Sequence, residues 1–313
     1  MTFNYSNELR PPQRMPLIDP ERPAMAGMLR MLKANHSKLT NAFSAPNGLS
    51  CRKTNVLSED GSEAALFVIE PGSDIRPLPG ILLIHGGAFY LPLTVSDLEL
   101  ACEYTKALGC RVFLPEYRLV PAYRAPKALE DCEAVWDLMC SLPEVDSEKL
   151  LIAGSSAGGA LAAGLCIRLR DRKKRLPKGQ MLFYPVLDNR PQLYGSYQKY
   201  KDAAWPALSN QTMWNSYLKD SPEDLTGTLV PALCQDLSGL PCAYIEPQEI
   251  DILFDEALAY ASALQSAGVQ TEVNVVYGSY HAFDQDLGSP LVKRVVEHRL
   301  QTAEKMLSGK GIL

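Results

Sequence analysis

A serine between two glycines is the residue of this sequence best placed to act as a nucleophile. Residues 154–158 form the pattern G-x-S-x-G, with Ser156 at its centre. An apolar run typical of a buried strand precedes the pattern, and small residues typical of a helix follow it. A tight strand-to-helix turn exposes such a serine for attack, and the glycines leave room for the turn. We therefore predict that Ser156 is the nucleophile and Ser155 a structural neighbour; a simple glycine-serine turn is the alternative.

Two glycines after another apolar strand could hold the negative charge that such an attack creates. The run 81–84 is continuously apolar and leads into His85, Gly86 and Gly87. Without side chains in the way, the amides of the two glycines can face a tetrahedral oxyanion. The amide of Ala157, at a helix N-terminus, is a third donor. We expect His85 to support this loop by hydrogen bonds; a glycine turn with a buried histidine is the alternative.

The scarcity of histidine narrows the choice of a general base. A serine hydroxyl needs a base, and a neutral imidazole suits that role near pH 7. The chain has only four histidines, of which His36 and His298 fall inside helical patterns. His281 instead follows a strand on a loop, where the sheets of α/β proteins present functional residues. We therefore expect His281 to be the base.

A carboxylate must orient the imidazole and stabilise its charged form. Asp251 follows the apolar strand pattern 242–246 and precedes a helical pattern, so it lies on a suitable loop. Three nearby carboxylates are rivals: Glu246, Glu249 and Asp255. The resulting chain order of serine, aspartate and histidine is the order found in α/β-hydrolases. We predict that Asp251 is the acid.

The elements that position these residues alternate between strand and helix patterns. Such alternation is typical of βαβ units and of an α/β protein with a mostly parallel sheet. The predicted strands are 65–70, 81–84, 111–117, 150–153, 180–186, 242–246 and 271–276. Each candidate functional residue then follows the carboxyl end of a strand, so all of them are expected at one edge of the sheet.

Two segments fall outside this alternation. The first fifty residues predict a helix that begins at Asp19-Pro20, before a turn at Asn47-Gly48. Residues 190–240 contain two tryptophans and no clear strand, and they are too long for a plain loop. We interpret both as a helical cap. The predicted division is an N-terminal cap segment at 1–50, a first core part at 51–189, an inserted cap segment at 190–240 and a second core part at 241–313.

Over residues 75–310 or so, the sequence resembles the hormone-sensitive-lipase-like family of α/β-hydrolase carboxylesterases. The family's H-G-G-G-[FW], G-D-S-A-G-G, D-P-L-R-D-E and H-G-F motifs correspond to residues 85–89, 154–159, 251–256 and 281–283. The resemblance implies an eight-stranded, mostly parallel sheet flanked by helices, with a helical cap. Two departures lie beside the predicted site. Ala88 replaces the third glycine of the oxyanion motif, and Ser155 replaces the aspartate before the nucleophile.

The function implied is that of a serine carboxylesterase acting on small-molecule esters with a short, acetyl-like acyl group. Its reaction would proceed through an acyl-enzyme, and it requires no metal or organic cofactor. An amidase or arylformamidase on the same scaffold is an alternative, because the triad does not separate esters from activated amides. A binding protein without catalysis is a further alternative, which the presence of His281 disfavours. Members of the family often pair through the last strand and helix, so a homodimer is expected.

Composition sets limits on other functions. The 313 residues carry 31 basic and 36 acidic side chains, a net charge of −5, which argues against a nucleic-acid or anionic-membrane binder. No apolar run is long enough for a membrane span, and the polar N-terminus predicts no signal peptide. The eight cysteines form no C-x-x-C pattern, which predicts neither a disulfide framework nor a zinc site. These features favour a cytoplasmic protein without stable membrane anchoring.

Overall fold

The computed structural model describes residues 3–72, 76–223 and 226–312. Its strands are β1 Leu49–Leu57, β2 Glu63–Pro71, β3 Leu78–Ile84, β4 Arg111–Glu116, β5 Val145–Ser155, β6 Gly179–Phe183, β7 Cys242–Glu246, β8 Gln248–Ile250, β9 Thr271–Val273 and β10 Val276–Tyr280. Its helices are α1 Pro23–Asn41, α2 Val95–Leu108, α3 Lys127–Ser141, α4 Ala157–Asp171, α5 Gly195–Lys199, α6 Ala207–Tyr217, α7 Thr226–Leu229, α8 Phe254–Ser266 and α9 Pro290–Leu307.

Eight of the strands form one sheet, in the order β1-β2-β4-β3-β5-β6-β7-β9. The pairs β1–β2 and β2–β4 are antiparallel, and every neighbour from β4 to β9 is parallel. Helices connect the parallel strands, as crossovers in a parallel sheet require. The predicted α/β class, with a mostly parallel eight-stranded sheet, is confirmed.

Both faces of the sheet are buried, which explains the continuous apolar runs in its central strands. In β3, Ile81 and Leu83 belong to one hydrophobic cluster, whereas Leu82 and Ile84 belong to another. Successive side chains of a strand point to opposite faces, so the two clusters lie on opposite sides of the sheet. None of these four side chains is more than 4% exposed.

A second, two-stranded sheet lies outside the main one and corrects the sequence prediction. Strands β8 and β10 pair in parallel, with Ile250 opposite Tyr280. The prediction of a single strand over 271–276 is wrong, because β9 ends at Val273 and a separate strand, β10, begins at Val276. The amide of Asn274 donates to a carbonyl of β7, whereas the amide of Val276 donates to the carbonyl just before β8. The chain therefore changes pairing partner between these two residues.

The start of helix α4 lies in close contact with the end of β3, and glycine makes this possible. A Cβ atom on Gly158 would lie 2.1 Å from the carbonyl oxygen of Ile84. A Cβ atom on Gly154 would lie 2.1 Å from the carbonyl oxygen of Gly158 itself. Any larger residue at either position would push the helix away from the sheet. The turn between them is therefore held in one tight conformation.

The predicted N-terminal helix exists, but it begins later than expected. It starts at Pro23, and Arg22 occupies the capping position without a side-chain capping bond. The Asp19 carboxylate accepts hydrogen bonds from the Glu21 amide and from the Arg22 guanidinium. Asp19 therefore closes a turn before the helix instead of capping it. The helix ends at Asn41, ahead of the predicted turn at Gly48, where φ is +89°.

The described residues between 190 and 240 form helices and short 3₁₀ turns joined by loops, and none of them lies in a strand. The aromatic side chains of this segment are packed inward: Trp205, Trp214 and Tyr217 are each less than 5% exposed. The Tyr217 ring stacks on Phe89, with centroids 3.7 Å apart and planes at 7°. This segment is therefore attached to the loop that follows β3.

The long helices of this fold are surface helices. Helix α1 has 19 residues and α9 has 18, and both contain several charged residues. In the part of the chain that the structure describes, no helix combines the length and apolarity needed to cross a bilayer.

Candidate active site

Ser156 occupies the turn between β5 and α4 in a strained backbone conformation. Its φ of +54° and ψ of −118° lie in a region that residues with side chains rarely adopt. In nucleophile turns of this kind the serine hydroxyl is exposed at the edge of the sheet, between the strand and the helix. The Ser156 Oγ lies 2.9 Å from Nε2 of His281, which is a hydrogen-bonding distance. The predicted nucleophile and base are thus in contact.

The small sheet brings the other two predicted residues together. Asp251 follows β8 directly and His281 follows β10 directly, so the parallel pairing of these strands places them side by side. The distance from His281 Nδ1 to Asp251 Oδ2 is 2.6 Å, and both side chains are at least 96% buried. A carboxylate only accepts hydrogen bonds, so Nδ1 donates and Nε2 is left to accept the Ser156 hydroxyl proton.

The three rival carboxylates have other partners. Glu246 is paired with the fully buried Arg299 at 2.6 Å. Glu249 accepts the Gly278 amide at 2.7 Å, and Asp255 accepts the Ser196 amide at 2.7 Å. Glu246 therefore balances a buried charge, and the other two carboxylates accept hydrogen bonds from backbone amides. Asp251 is the one that contacts His281.

The remaining histidines lie away from this contact. His298, on α9, makes an ion-pair contact with Glu272 at 2.7 Å. His36 lies on α1. Ser155 is the last residue of β5 and lines the cavity next to Ser156, whereas the imidazole contacts the hydroxyl of Ser156.

The loop after β3 presents backbone amides beside the nucleophile. A Cβ atom on Gly86 would lie 3.3 Å from the Cβ of Ser156, so this loop touches the nucleophile turn. Gly87 has a φ of +100°, and a Cβ there would lie 2.8 Å from the Leu91 carbonyl oxygen. None of the described residues accepts a hydrogen bond from the amides of Gly86, Gly87 or Ala157. These donors are available for an oxyanion.

The chain stays left-handed after the two glycines. Ala88, which stands where the related motif has glycine, has a φ of +54°, and Phe89 has a φ of +60°. Left-handed backbone costs a residue with a Cβ more than it costs glycine. The stacking of Phe89 on Tyr217 and the burial of Ala88 hold this stretch in place. Ala88 thus adopts a left-handed conformation that glycine would adopt at lower cost.

His85 and Tyr117 hold the loop from beneath. The His85 ring is 2% exposed and stacks on Tyr117 with centroids 4.2 Å apart. Its Nδ1 lies 2.7 Å from the Gly86 carbonyl oxygen, and burial lowers the pKa of the imidazole, which favours its neutral form. The Tyr117 hydroxyl donates to the carbonyls of His85 and Gly86 at 3.0 and 3.1 Å. Sequence reasoning assigned no role to Tyr117, which directly follows β4.

We expect Tyr117→Phe to lower kcat about tenfold while changing KM less than about twofold, because a loosened loop weakens oxyanion binding more than substrate binding. Steady-state hydrolysis of p-nitrophenyl acetate measures both constants. Tyr104→Phe is the matched control, since Tyr104 is a buried tyrosine whose hydroxyl has no partner among the described residues. Equal losses in the two variants would show that Tyr117 acts only through general stability.

The catalytic histidine candidate is enclosed by aromatic rings and a buried ion pair. The Trp205 ring lies 5.7 Å from the His281 ring at 26°, and the Tyr184 ring contacts it edge-on at 5.1 Å. The Tyr184 hydroxyl donates to Asp284 at 2.7 Å, and Asp284 pairs with Arg299 at 2.8 Å. These contacts restrict the imidazole to one orientation. The sequence pattern did not reveal them, because the residues come from four separate segments.

A buried carboxyl group lies behind the acid. Glu256 is 1% exposed and accepts the amides of Leu187 and Asp188 at 2.7 and 3.4 Å. Burial raises its pKa well above the usual range, and the nearby Asp188 and Asp251 carboxylates add to the effect. Glu256 thus ties residues 187 and 188, just before the 190–240 segment, to helix α8.

A cavity of about 140 Å³ opens at Ser156. Its walls include the loop after β3, the nucleophile turn and both aromatic neighbours of His281. The described residues contain no group of three or more His, Cys, Asp or Glu side chains that could hold a metal ion. The groups gathered at Ser156 are its own hydroxyl, the His281 imidazole, the Asp251 carboxylate and the neighbouring backbone amides.

Comparison with known proteins shows the family to which this chain belongs. The model of a family with the α/β-hydrolase fold matches residues 81–285, more than half of the chain. The chain belongs to the α/β-hydrolase family. The arylesterase of Saccharolobus solfataricus is 32% identical over 223 residues, which are 69% of this chain and 71% of the relative.

Two further proteins are similar to this chain, one compared by sequence and one by structure. The ethyl acetate hydrolase of Pseudomonas putida is 29% identical, over 73% of this chain and 74% of its own. The solved structure of a bacterial heroin esterase has a TM-score of 0.82 and 28% identity, and the match covers 94% of both chains. The resemblance to hormone-sensitive-lipase-like hydrolases is confirmed, and within that family this α/β-hydrolase stands among the carboxylic ester hydrolases.

Proposed function

We propose that this α/β-hydrolase is a serine carboxylesterase that hydrolyses small-molecule esters with a short, acetyl-like acyl group through a Ser156–His281–Asp251 triad. The observation that carries the proposal is the chain of two hydrogen bonds, 2.9 Å from serine to histidine and 2.6 Å from histidine to aspartate. The strained nucleophile turn and the adjacent free amides support it.

In the first half-reaction, His281 Nε2 takes the proton from Ser156 as Oγ attacks the ester carbonyl carbon. The carbonyl oxygen becomes an oxyanion, which the amides of Gly86, Gly87 and Ala157 stabilise. Asp251 stabilises the imidazolium that forms. When the carbon–oxygen bond to the alcohol breaks, His281 returns the proton to the leaving oxygen. The acyl group is then bonded to Ser156.

In the second half-reaction, water replaces the alcohol. His281 removes a proton from the water as its oxygen attacks the acyl-enzyme, and the same amides hold the second oxyanion. Collapse of this intermediate breaks the bond to Ser156 Oγ, which recovers its proton from His281. The carboxylic acid leaves and the free enzyme is restored. Every proton moves between the substrate, water and the triad.

The size of the cavity at Ser156 supports a short acyl group. A protein cavity of about 150 Å³ holds a molecule the size of benzene. The 140 Å³ available here therefore fits about six heavy atoms. Mostly apolar walls, with Leu91, Pro92 and Leu100 among them, suit an alkyl chain better than a charged group.

A series of p-nitrophenyl esters tests this proposal. With pre-steady-state mixing, the acetate is expected to give a burst of one p-nitrophenol per Ser156, because acylation and deacylation are separate steps. The value of kcat/KM is expected to be highest for acyl groups of two to about six carbons. N-formylarylamines are assayed in parallel, since an amidase or arylformamidase would prefer them. A higher kcat/KM on the formylated amines would overturn the ester assignment.

We also propose that residues 1–50 and 190–240 act as a cap on a core formed by 51–189 and 241–313. The contact of Trp205 with His281 and the stacking of Tyr217 on Phe89 support a cap function for the inserted segment. A cytoplasmic location is likewise proposed, and the finding that all eight cysteines are free supports it. The homodimer stays a prediction.

A further inference from the structure

A wider groove adjoins the cavity at Ser156. This outer groove has a volume of about 620 Å³, more than four times that of the inner cavity. The residues that line both spaces are Met15, Ser96, His281, Ala282 and Gln285. The two spaces therefore share five lining residues, and His281 borders both of them.

Residues of the segment 3–15 contribute to one wall of the groove, which Arg10, Gln13 and Met15 line. We call residues 3–15 the N-terminal strap. The Ser6 amide donates to the Gly278 carbonyl at 2.9 Å, and the Tyr280 hydroxyl donates to the Arg10 carbonyl at 2.9 Å. The strap thus runs along β10, the strand that precedes His281.

Met15, at the end of the strap, stands at the junction of the two spaces. Its amide donates to the Ala204 carbonyl at 2.9 Å, which fixes the backbone next to Trp205. Its side chain is half-buried and packs against the main hydrophobic core. An unbranched methionine side chain with a fixed backbone can narrow a passage without closing it.

We infer that the outer groove binds the alcohol part of the ester and that Met15 determines how large this alcohol can be. The inference rests on the proposed function. His281 must reach the leaving oxygen to protonate it, and His281 borders both spaces. Gly87, Leu91 and Ser156 border only the inner cavity, where the acyl group remains attached to the serine.

The groove's lining indicates the kind of alcohol. Phe283, Leu287 and Ala204 contribute apolar surface, while Gln13 and Glu99 contribute hydrogen-bonding groups. The Arg10 guanidinium at the rim is neutralised by Asp286 at 3.0 Å. A volume of 620 Å³ is within the range of pockets that hold drug-sized molecules. Since the groove also contains the Glu99 carboxylate, the substrate class assigned is a short-acyl ester of a large alcohol that carries no negative charge and has both an apolar skeleton and hydrogen-bonding groups.

Replacing Met15 with a larger and with a smaller side chain tests this assignment. One substrate series keeps the acetyl group and enlarges the alcohol from methyl through benzyl to naphthyl and a phenyl glycoside. The other keeps methanol and lengthens the acyl chain from two to eight carbons. For Met15→Trp, the ratio of kcat/KM for naphthyl acetate to that for methyl acetate is expected to fall about tenfold. For Met15→Ala the same ratio is expected to rise, and in neither variant should the acyl-chain profile move.

Leu17→Trp is the matched control, because Leu17 lies two residues further along, is 44% exposed and lines neither space. Its ratios should equal those of the wild type. A shift of the acyl-chain profile in the Met15 variants would overturn the inference by assigning the groove to the acyl group. Unchanged ratios in both Met15 variants would also overturn it. A wild-type protein that hydrolyses no ester of either series would instead refute the proposed function.

Discussion

Ser156→Ala protein is expected to lose ester hydrolysis almost completely, with kcat falling about 10⁶-fold, as when the nucleophile of a triad is removed. The reason is chemical and not structural. The Ser156 hydroxyl contacts His281 Nε2, and alanine leaves the strained turn and the neighbouring amides in place. Hydrolysis of p-nitrophenyl acetate measures the loss. Labelling with a fluorophosphonate, read by mass spectrometry, should modify Ser156 in the wild type and fail in the variant.

Ser209→Ala provides a control for this experiment. Ser209 is a buried serine on α6 whose hydroxyl has no partner among the described residues, so its removal should leave kcat at the wild-type value. Thermal unfolding of both variants checks that the fold is intact. If Ser156→Ala retained more than about a hundredth of the wild-type kcat, the nucleophile assignment would be wrong. Ser155→Ala would then be the next variant to test.

Asp251→Asn is expected to lower kcat about 10⁴-fold, because it changes the tautomer of the base. The aspartate accepts the proton on His281 Nδ1 at 2.6 Å. An asparagine amide in its place can donate to Nδ1, which moves the ring proton to Nε2. The imidazole then cannot accept the Ser156 proton, although all three side chains stay in position. Steady-state kinetics at neutral pH measure the effect.

The rival carboxylates supply the comparison for this prediction. Asp255→Asn and Glu249→Gln remove the charges that accept the Ser196 and Gly278 amides. Since amide side chains can still accept these bonds, both variants are expected to stay within about tenfold of the wild-type kcat. A collapse of activity in Asp255→Asn, with Asp251→Asn still active, would move the acid to Asp255.

Residues at strand ends were the part of the site that the sequence could predict. The pattern G-x-S-x-G at 154–158 follows an apolar strand, and His281 and Asp251 each follow another. In a mostly parallel sheet the carboxyl ends of the strands lie along one edge, so local patterns already imply proximity. The small number of histidines then left few choices for the base. The contact distances agree with these choices, and the roles stay predictions until the variants are measured.

The short strands could not be predicted from the sequence in the same way. Strand β8 has only three residues, Gln248–Ile250, which is too few for a recognisable alternation, and the chain over 271–276 divides between two sheets. The start of helix α1 was predicted too early for a different reason. Asp19 before a proline is a common capping signal, but its carboxylate is used in a turn of its own.

The chain by itself determined the fold class, the nucleophile turn and the order of the triad candidates, because these depend on local composition and on strand-to-helix spacing. Only the tertiary structure decided what encloses them. Tyr117 under the oxyanion loop, Trp205 against His281 and Met15 at the mouth of the cavity come from segments far apart in the chain. Their positions depend on long-range packing, and no periodicity in the sequence encodes contacts of that kind.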